Sequence, residues 1–262
     1  MTAILPATMP VLAAGLAIVF FAGVVRGFAG FGFSAFSVAG LSLLVSPASI
    51  VPAVFILEVL ASLTLVRSAR HDVDWPWLGW LVFGNALFIP LGILVLASVP
   101  ETPLRLVIGA LLLLAAAMQR RGRRFDLAPT RSVRLAVGAV SGFANGVAAI
   151  GGIAVAVMLG TSRLSPAALR ATLIALFLVT DLYALAWAAV VPSAHPGADR
   201  LLGAATVAWA VWMTPAMLAG IAIGKRFFTG ISPATFRRRI LDLLIVIATL
   251  SVARALADLV GG

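Results

Sequence analysis

The sequence predicts an all-α polytopic membrane protein made of two inverted repeats, each a glycine-broken re-entrant hairpin followed by three transmembrane helices. Three observations lead there. First, 62% of the 262 residues are hydrophobic and only 11% are charged, against roughly 45–50% and about 25% in soluble domains; the mean hydropathy is +1.14. Second, a glycine-rich break occurs twice, as Arg26-Gly-Phe-Ala-Gly-Phe-Gly-Phe33 and as Ser141-Gly-Phe-Ala-Asn-Gly-Val-Ala-Ala-Ile-Gly-Gly152. Third, the arginines gather in short loops between apolar segments, where the positive-inside rule places them. The net charge of +10 is therefore no nucleic-acid signal. Cysteine is absent, which excludes a disulfide framework, thiol chemistry and a cysteine metal site.

Taken in order, the chain opens with an apolar region from about Pro10 to Val45, interrupted near its middle by Gly27, Gly30 and Gly32. Glycine costs a helix interior about 1 kcal/mol relative to alanine and lets the backbone turn sharply. At membrane depth, broken backbone is tolerated only where it is buried in protein or lines a cavity. No Lys or Arg precedes Arg26, so this segment lacks the basic start of a signal peptide; it is expected to be retained, with the N-terminus outside. Phe33–Val45 closes at Ser46-Pro47. Ile50–Val66 reads as a helix carrying Pro52 and Glu58. A polar loop with Arg67, Arg70, His71, Asp72 and Asp74 leads to Trp75, Trp77 and Trp80, placed as interfacial aromatics. Trp77–Ala97 is a helix with Asn85, Pro90 and Gly92, and Leu104–Met118 is another.

The second half repeats this order. Leu135–Leu159 holds the second break, Ser165-Pro166 closes it, and Ala167–Val191 carries Thr180 and Asp181. Leu201–Ile223 contains Thr214 and Pro215, and Ile240–Val260 is the last helix. The halves are 1–118 and 135–262, joined by a basic cytoplasmic linker at 119–134. Glu58 lies eleven residues beyond Pro47 and Asp181 fifteen beyond Pro166, so the two acids correspond only to within a helical turn.

Charge then sets topology. The basic loops 119–134 and 224–239 should both be cytoplasmic, which requires an even number of crossings between them. The helices at 167–191 and 201–223 supply two. The broken segment 135–159 is too short for two more at about 1.5 Å per residue, so it should enter and leave by the cytoplasmic face. By the same logic 10–45 is a hairpin from outside, although its length also permits two short crossings. Three full crossings per half is an odd number, so the repeats are inverted, and their hairpin tips should meet near the midplane.

The breaks are the first candidates for binding chemistry. Half-helices starting after Gly32 and Gly152 would aim free N–H groups and a positive dipole end at an anion. Phe28, Phe31 and Phe143 are placed to shape or gate the opening. The competing reading is close packing of small residues. Arg26 either attracts the anion or reaches to the interface. Ser34, Ser141 and Asn145 offer hydrogen bonds in or beside the breaks; Asn85, Thr180 and Thr214 fit helix-to-helix hydrogen bonding better. Glu58 and Asp181 are mid-helix acids, so each is neutral, paired or facing water. Their functional reading is proton coupling; their structural one is pairing with an arginine or hydroxyl. Asp242 is expected to serve the local arginine cluster, and His71 and His195 are expected in solvent. No metal constellation, nucleophilic triad or phosphate loop is legible, so neither an enzyme nor a cofactor is expected.

The paired breaks, the Ser-Pro closures, the run Ala-Ala-Leu-Arg-Ala-Thr at 167–172 and the basic central loop make the chain resemble the sulfite exporter TauE/SafE-like family over nearly its whole length. The first half fits well, whereas Asn145 and the Val-Ala-Ala spacer interrupt the second glycine cluster. The resemblance implies a bacterial inner-membrane carrier of a small sulfur-containing or carboxylate anion. The reading is a secondary transporter of sulfite or an organosulfonate working by alternating access, with proton coupling left open. Arg26, Gly27, Gly30, Phe31, Gly32, Ser34, Ser141, Asn145, Gly151 and Gly152 would bind substrate, and Glu58 and Asp181 would couple. The expected partners are the substrate anion and the lipid bilayer, with no nucleic acid, and a homodimer by general tendency alone. The alternatives are an anion channel, or a carrier of a small carboxylate or other non-sulfur solute.

Overall fold

Proline in the first turn starts four of the long helices, where its missing N–H leaves no bond unmade and its fixed φ suits the helix. The computed structural model describes residues 7–120, 130–152, 155, 164–195, 199–227 and 233–260. Among them the elements are α1 (Met9–Ala29), α2 (Phe33–Leu41), α3 (Pro47–Ala69), a 3₁₀ turn (Arg70–Asp72), α4 (Trp75–Ser98), α5 (Glu101–Arg120), α6 (Arg131–Ala148), α7 (Pro166–Val190), α8 (Ala204–Phe227) and α9 (Pro233–Val260). Side-chain caps sharpen three starts: Asp74 accepts from the Trp77 N–H, Thr130 from Val133 and Ser165 from Ala168. Pro52, Pro90 and Pro215 lie inside α3, α4 and α8.

Six of the described helices are long and apolar enough to cross a membrane: α1, α3, α4, α5, α7 and α8. Along α4, Phe83, Leu87, Leu91 and Leu94 point outward and are 46–53% exposed. That outward stripe calls for an apolar surrounding, which lipid supplies. The same helix turns Leu81, Ile89, Ile93 and Leu96 inward.

The first break falls at two of the three expected glycines, Gly30 and Gly32, and divides the first apolar region into α1 of 21 residues and α2 of 9, while Gly27 stays inside α1. The apolar residues before Gly30 suit a long helix, and a single internal glycine such as Gly27 does not end one. α5 reaches Arg120 and α6 begins at Arg131, and positions 121–129 of the expected linker lie outside the described residues. So do the side chains of Arg237, Arg238 and Arg239.

Glycine stripes hold the helices together. Gly23 and Gly27 of α1 face Gly220 and Gly224 of α8, and Gly138, Gly142 and Gly146 of α6 face Gly84, Asn85 and Gly92 of α4. A Cβ on Gly23 would meet the Met217 carbonyl oxygen at 2.6 Å, and one on Gly138 would meet that of Leu81 at 2.7 Å. Backbone therefore packs on backbone, the small-residue interface of membrane helices. Positions along each pair rise together, so α1 runs parallel to α8, and α4 parallel to α6. The other two pairs are antiparallel. Arg105 approaches Asp258 and Arg120 approaches Asp242 between α5 and α9, while the Asp74 N–H just after α3 donates to Thr172 at the start of α7.

These directions gather the basic residues at one face. The end of α3, the start of α4, the end of α5, the start of α6 and the start of α7 all lie there, with Arg67, Arg70, Arg120, Arg131 and Arg134. Arg134 stacks on Trp77 at 4.4 Å and Arg131 on Trp80 at 5.8 Å, binding the starts of α6 and α4 at that face. Asp242 does pair with an arginine, Arg120 of α5 at 2.7 Å. His195 departs from expectation: it is half-buried and its ring Nε2 lies 2.8 Å from the Leu96 carbonyl oxygen. His71 is exposed as expected.

Candidate functional site

The first break is made by two left-handed glycines. Gly30 has φ 82° and ends α1 with its N–H on the Arg26 carbonyl; Gly32 has φ 91° and caps α2. A side chain at either would strain the backbone, and a Cβ on Gly30 would also meet Arg170 Cγ at 2.5 Å. This turn places Arg26 in the interior at 0% exposure. Its Nη2 lies 3.1 Å from Glu58 Oε2 and donates to Ser62 Oγ at 2.9 Å, while the guanidinium lies 4.6 Å from the centre of the Phe177 ring. Glu58, 1% exposed, takes a hydrogen bond on Oε1 from the Ser34 backbone N–H at 3.1 Å, while its Oε2 meets Arg26 as an ion pair without a hydrogen bond. The start of α2 thus already holds an anion, the carboxylate of Glu58. Both the exposed N–H groups and the helix dipole favour negative charge there. Arg26 Nε and Nη1 are buried with no hydrogen-bond partner.

The second break is built differently. α6 ends at Ala148, and Ala149 takes the left-handed conformation at φ 56° with its N–H on the Asn145 carbonyl at 2.7 Å. The glycines come after the turn, not in it: Gly151 and Gly152 are already helical. The expectation that a half-helix starts after Gly152 is thus off by two residues, because alanine makes the turn. Gly151 is small so that Asn145 can pack on it, with a Cβ there reaching Asn145 Cβ at 2.8 Å. A Cβ on Gly152 would run into the Phe177 ring. Asn145 Nδ2 donates to Asp181 Oδ1 at 2.8 Å, and Asp181 Oδ2 has no hydrogen-bond partner. Ser141 Oγ donates to Asn85 Oδ1 at 3.1 Å, and Asn85 Nδ2 to the Leu81 carbonyl at 2.8 Å.

Phe177 joins the two breaks. One part of its ring carries the Arg26 guanidinium and another packs against Gly152. Glu58 and Arg26 also lie within electrostatic reach of Asp181. One buried cluster therefore holds Arg26, Ser34, Glu58, Ser62, Asn145, Phe177 and Asp181. Ser141 stands beside it. Gly27 lies inside α1 against the Ile221 carbonyl, a packing position, and Phe31 packs toward the core around Trp77, Leu173 and Phe177. Phe143 is half-buried against the main core. Thr180 and Thr214 bond carbonyls one turn back, at Leu176 and Ala210.

Ser62, Arg170 and Phe177 were not expected here. Arg170 Nη2 donates to the Gly27 carbonyl at 3.2 Å, so a second cation reaches the first break. A signal for the other two was available. Laying Ser46-Pro47 on Ser165-Pro166, an offset of 119, carries Glu58 onto Phe177 and Ser62 onto Asp181. In that register the two acids are not equivalent. Each sits in one half, opposite an uncharged residue of the other.

The family model described as Sulfite exporter TauE/SafE matches residues 15–251. No curated protein and no solved structure matches the chain.

Proposed function

The chain belongs to the sulfite exporter TauE/SafE family, a family of membrane transporters of sulfur anions, and on that premise we propose a carrier of sulfite or an organosulfonate across the bacterial inner membrane. The observation that carries this reading is Arg26. It is fully buried, two of its donors have no partner, and it lies where both breaks converge on Phe177. A buried arginine is expensive in a bilayer and marks a substrate path by default. Its planar fork of donors matches an oxyanion.

Alternating access through two inverted repeats is the mechanism that fits. The helix pairings support it: α1 with α8 answers α6 with α4, and α5–α9 and α3–α7 are each self-symmetric when the halves are exchanged. Both α1 and α3 run toward the basic face and both α6 and α7 away from it. The chain between α1 and α3 must then return to the side it came from, as a re-entrant hairpin does. Its equivalent enters from the basic, cytoplasmic face. Inverted repeats of this kind bind at the midplane and rock about a fixed site.

The test is thermal stability of the purified protein across sulfite, sulfate, thiosulfate, sulfoacetate, taurine, isethionate, acetate and pyruvate. An anion at one hundred times its dissociation constant should stabilise by about 2.7 kcal/mol. The shift should come with the sulfur anions and vanish in Arg26→Ala and in Asn145→Leu. Stabilisation by cations or neutral solutes alone would refute the anion site.

A further inference from the structure

The positive end of α2 and the guanidinium of Arg26 converge on one point, and that point is filled by the protein's own carboxylate. Glu58 Oε1 takes the Ser34 N–H and Oε2 takes the Arg26 charge. Those are the same groups that would recognise an incoming oxyanion. Two anions cannot share them, because like charges at contact distance repel and a site of low dielectric screens poorly. Arg26 also keeps Nε and Nη1 unused, so the seat offers more donors than one carboxylate consumes. That surplus suits a ligand with three oxygens.

Resting on the anion-carrier reading, we propose that Glu58 is a tethered stand-in for the substrate, and that a sulfonate takes its place only when Glu58 gains a proton. The step balances simply. One proton from water goes to the Glu58 carboxylate, which becomes a neutral acid and gives up its claim on Arg26 and the Ser34 N–H. The anion then takes both. One proton and one monoanion enter together, so the cluster's net charge is unchanged. The groups around the Arg26–Glu58 pair are the Ser34 N–H from α2 on Glu58, Ser62 of α3 and Phe177 of α7 on Arg26, and Asp181 from α7 within electrostatic reach of both, with Arg170 beyond at the Gly27 carbonyl. Asp181 is the other acid able to take the proton, so the test must separate the two.

The experiment is calorimetric titration of the purified full chain with isethionate, in cationic buffers of different ionisation enthalpy and at several pH values. A sulfonate stays ionised throughout, so any proton taken up goes to the protein. The wild-type protein should take up about one proton per anion bound. Wherever Glu58 starts ionised, the protein's apparent affinity should fall by about tenfold per unit rise in pH, because the competent fraction falls tenfold. In Glu58→Gln, which keeps an acceptor for Ser34, proton uptake should vanish and the pH profile should flatten; in Asp181→Asn uptake should persist. Binding to the wild-type protein without proton uptake overturns the proposal while leaving the carrier standing. Uptake lost in Asp181→Asn but kept in Glu58→Gln overturns it in favour of Asp181. Isethionate that binds neither wild type nor variant, at any pH, sinks the sulfonate reading of the site and the stand-in with it. If Glu58→Gln does not fold, the wild-type proton count and Asp181→Asn still decide.

Discussion

Removing Glu58 alone should be one of the most damaging single changes in the protein, and removing Arg26 with it should undo most of the damage. Arg26 is 0% and Glu58 1% exposed, and their charged groups stand 3.1 Å apart. Glu58→Ala leaves the guanidinium without its ion-pair partner, beside Ser62 and the Phe177 ring and within electrostatic reach of Asp181. Breaking a buried pair by removing one partner costs about 3–5 kcal/mol, since the other charge stays buried and uncompensated. Arg26→Met keeps the volume and takes that charge away. The double variant Arg26→Met with Glu58→Ala should then lie within about 2 kcal/mol of wild type, because apolar replacement of a whole buried pair is often neutral. The Ser34 N–H, freed in both, accounts for about 1 kcal/mol of what remains. The assay is reversible unfolding in mixed micelles of wild type, both single variants and the double, read as a double-mutant cycle. A coupling above roughly 2 kcal/mol is expected, near the upper end of the range for contacting residues. Additive single costs would mean that the two side chains do not meet, and would refute the geometry on which the site rests.

Other consequences are simpler to measure. Gly23→Ala and Gly138→Ala push a Cβ onto a facing backbone and should each cost about 1–3 kcal/mol, whereas Gly79→Ala, with open space around it, should stabilise by up to about 1 kcal/mol; the same unfolding assay checks all three. Gly30→Ala combines a φ of 82° with a clash on Arg170 and should destabilise more than Gly32→Ala, whose added Cβ meets only Val25 at 3.4 Å. Trp77→Leu should lose about 0.5–1 kcal/mol of stacking with Arg134, and Arg134→Gln should cost little more in that background. Because the native chain has no cysteine, single cysteines at Arg70 and Glu101 can report sidedness: an impermeant maleimide should label the first only from the side of the basic face and the second only from the other. Labelling of both from one side would refute the helix directions.

Much of the site was legible because its residues break local rules. Arginine and carboxylates inside apolar helices, and glycines clustered at one point, stand out against composition, and Arg26, Glu58, Asn145 and Asp181 do lie in one cluster. Phe177 and Ser62 broke no rule, since an aromatic or a serine in an apolar helix is ordinary. Ala149 was invisible for a related reason: alanine seldom turns left-handed, and it does so here under tertiary constraint. The glycines around it then proved to be packing positions, at which any Cβ would strike a neighbour. His195 was misplaced as solvated because nothing in a loop sequence says that the Leu96 carbonyl lies beside it.

What the sequence determined by itself was the chain's relation to its solvent. Apolar length, glycine and proline placement and arginine-rich ends decide locally where helices start, stop and cross, because lipid requires each segment to satisfy its own backbone hydrogen bonds. What only the tertiary structure decided was partnership. Arg26 meets Glu58 instead of Asp181, the start of α2 holds a carboxylate instead of open water, and Phe177 joins the two breaks. Those choices follow from which backbones can approach closely. Gly23, Gly138 and their facing glycines settle that through contacts spanning most of the chain, and no local pattern encodes them.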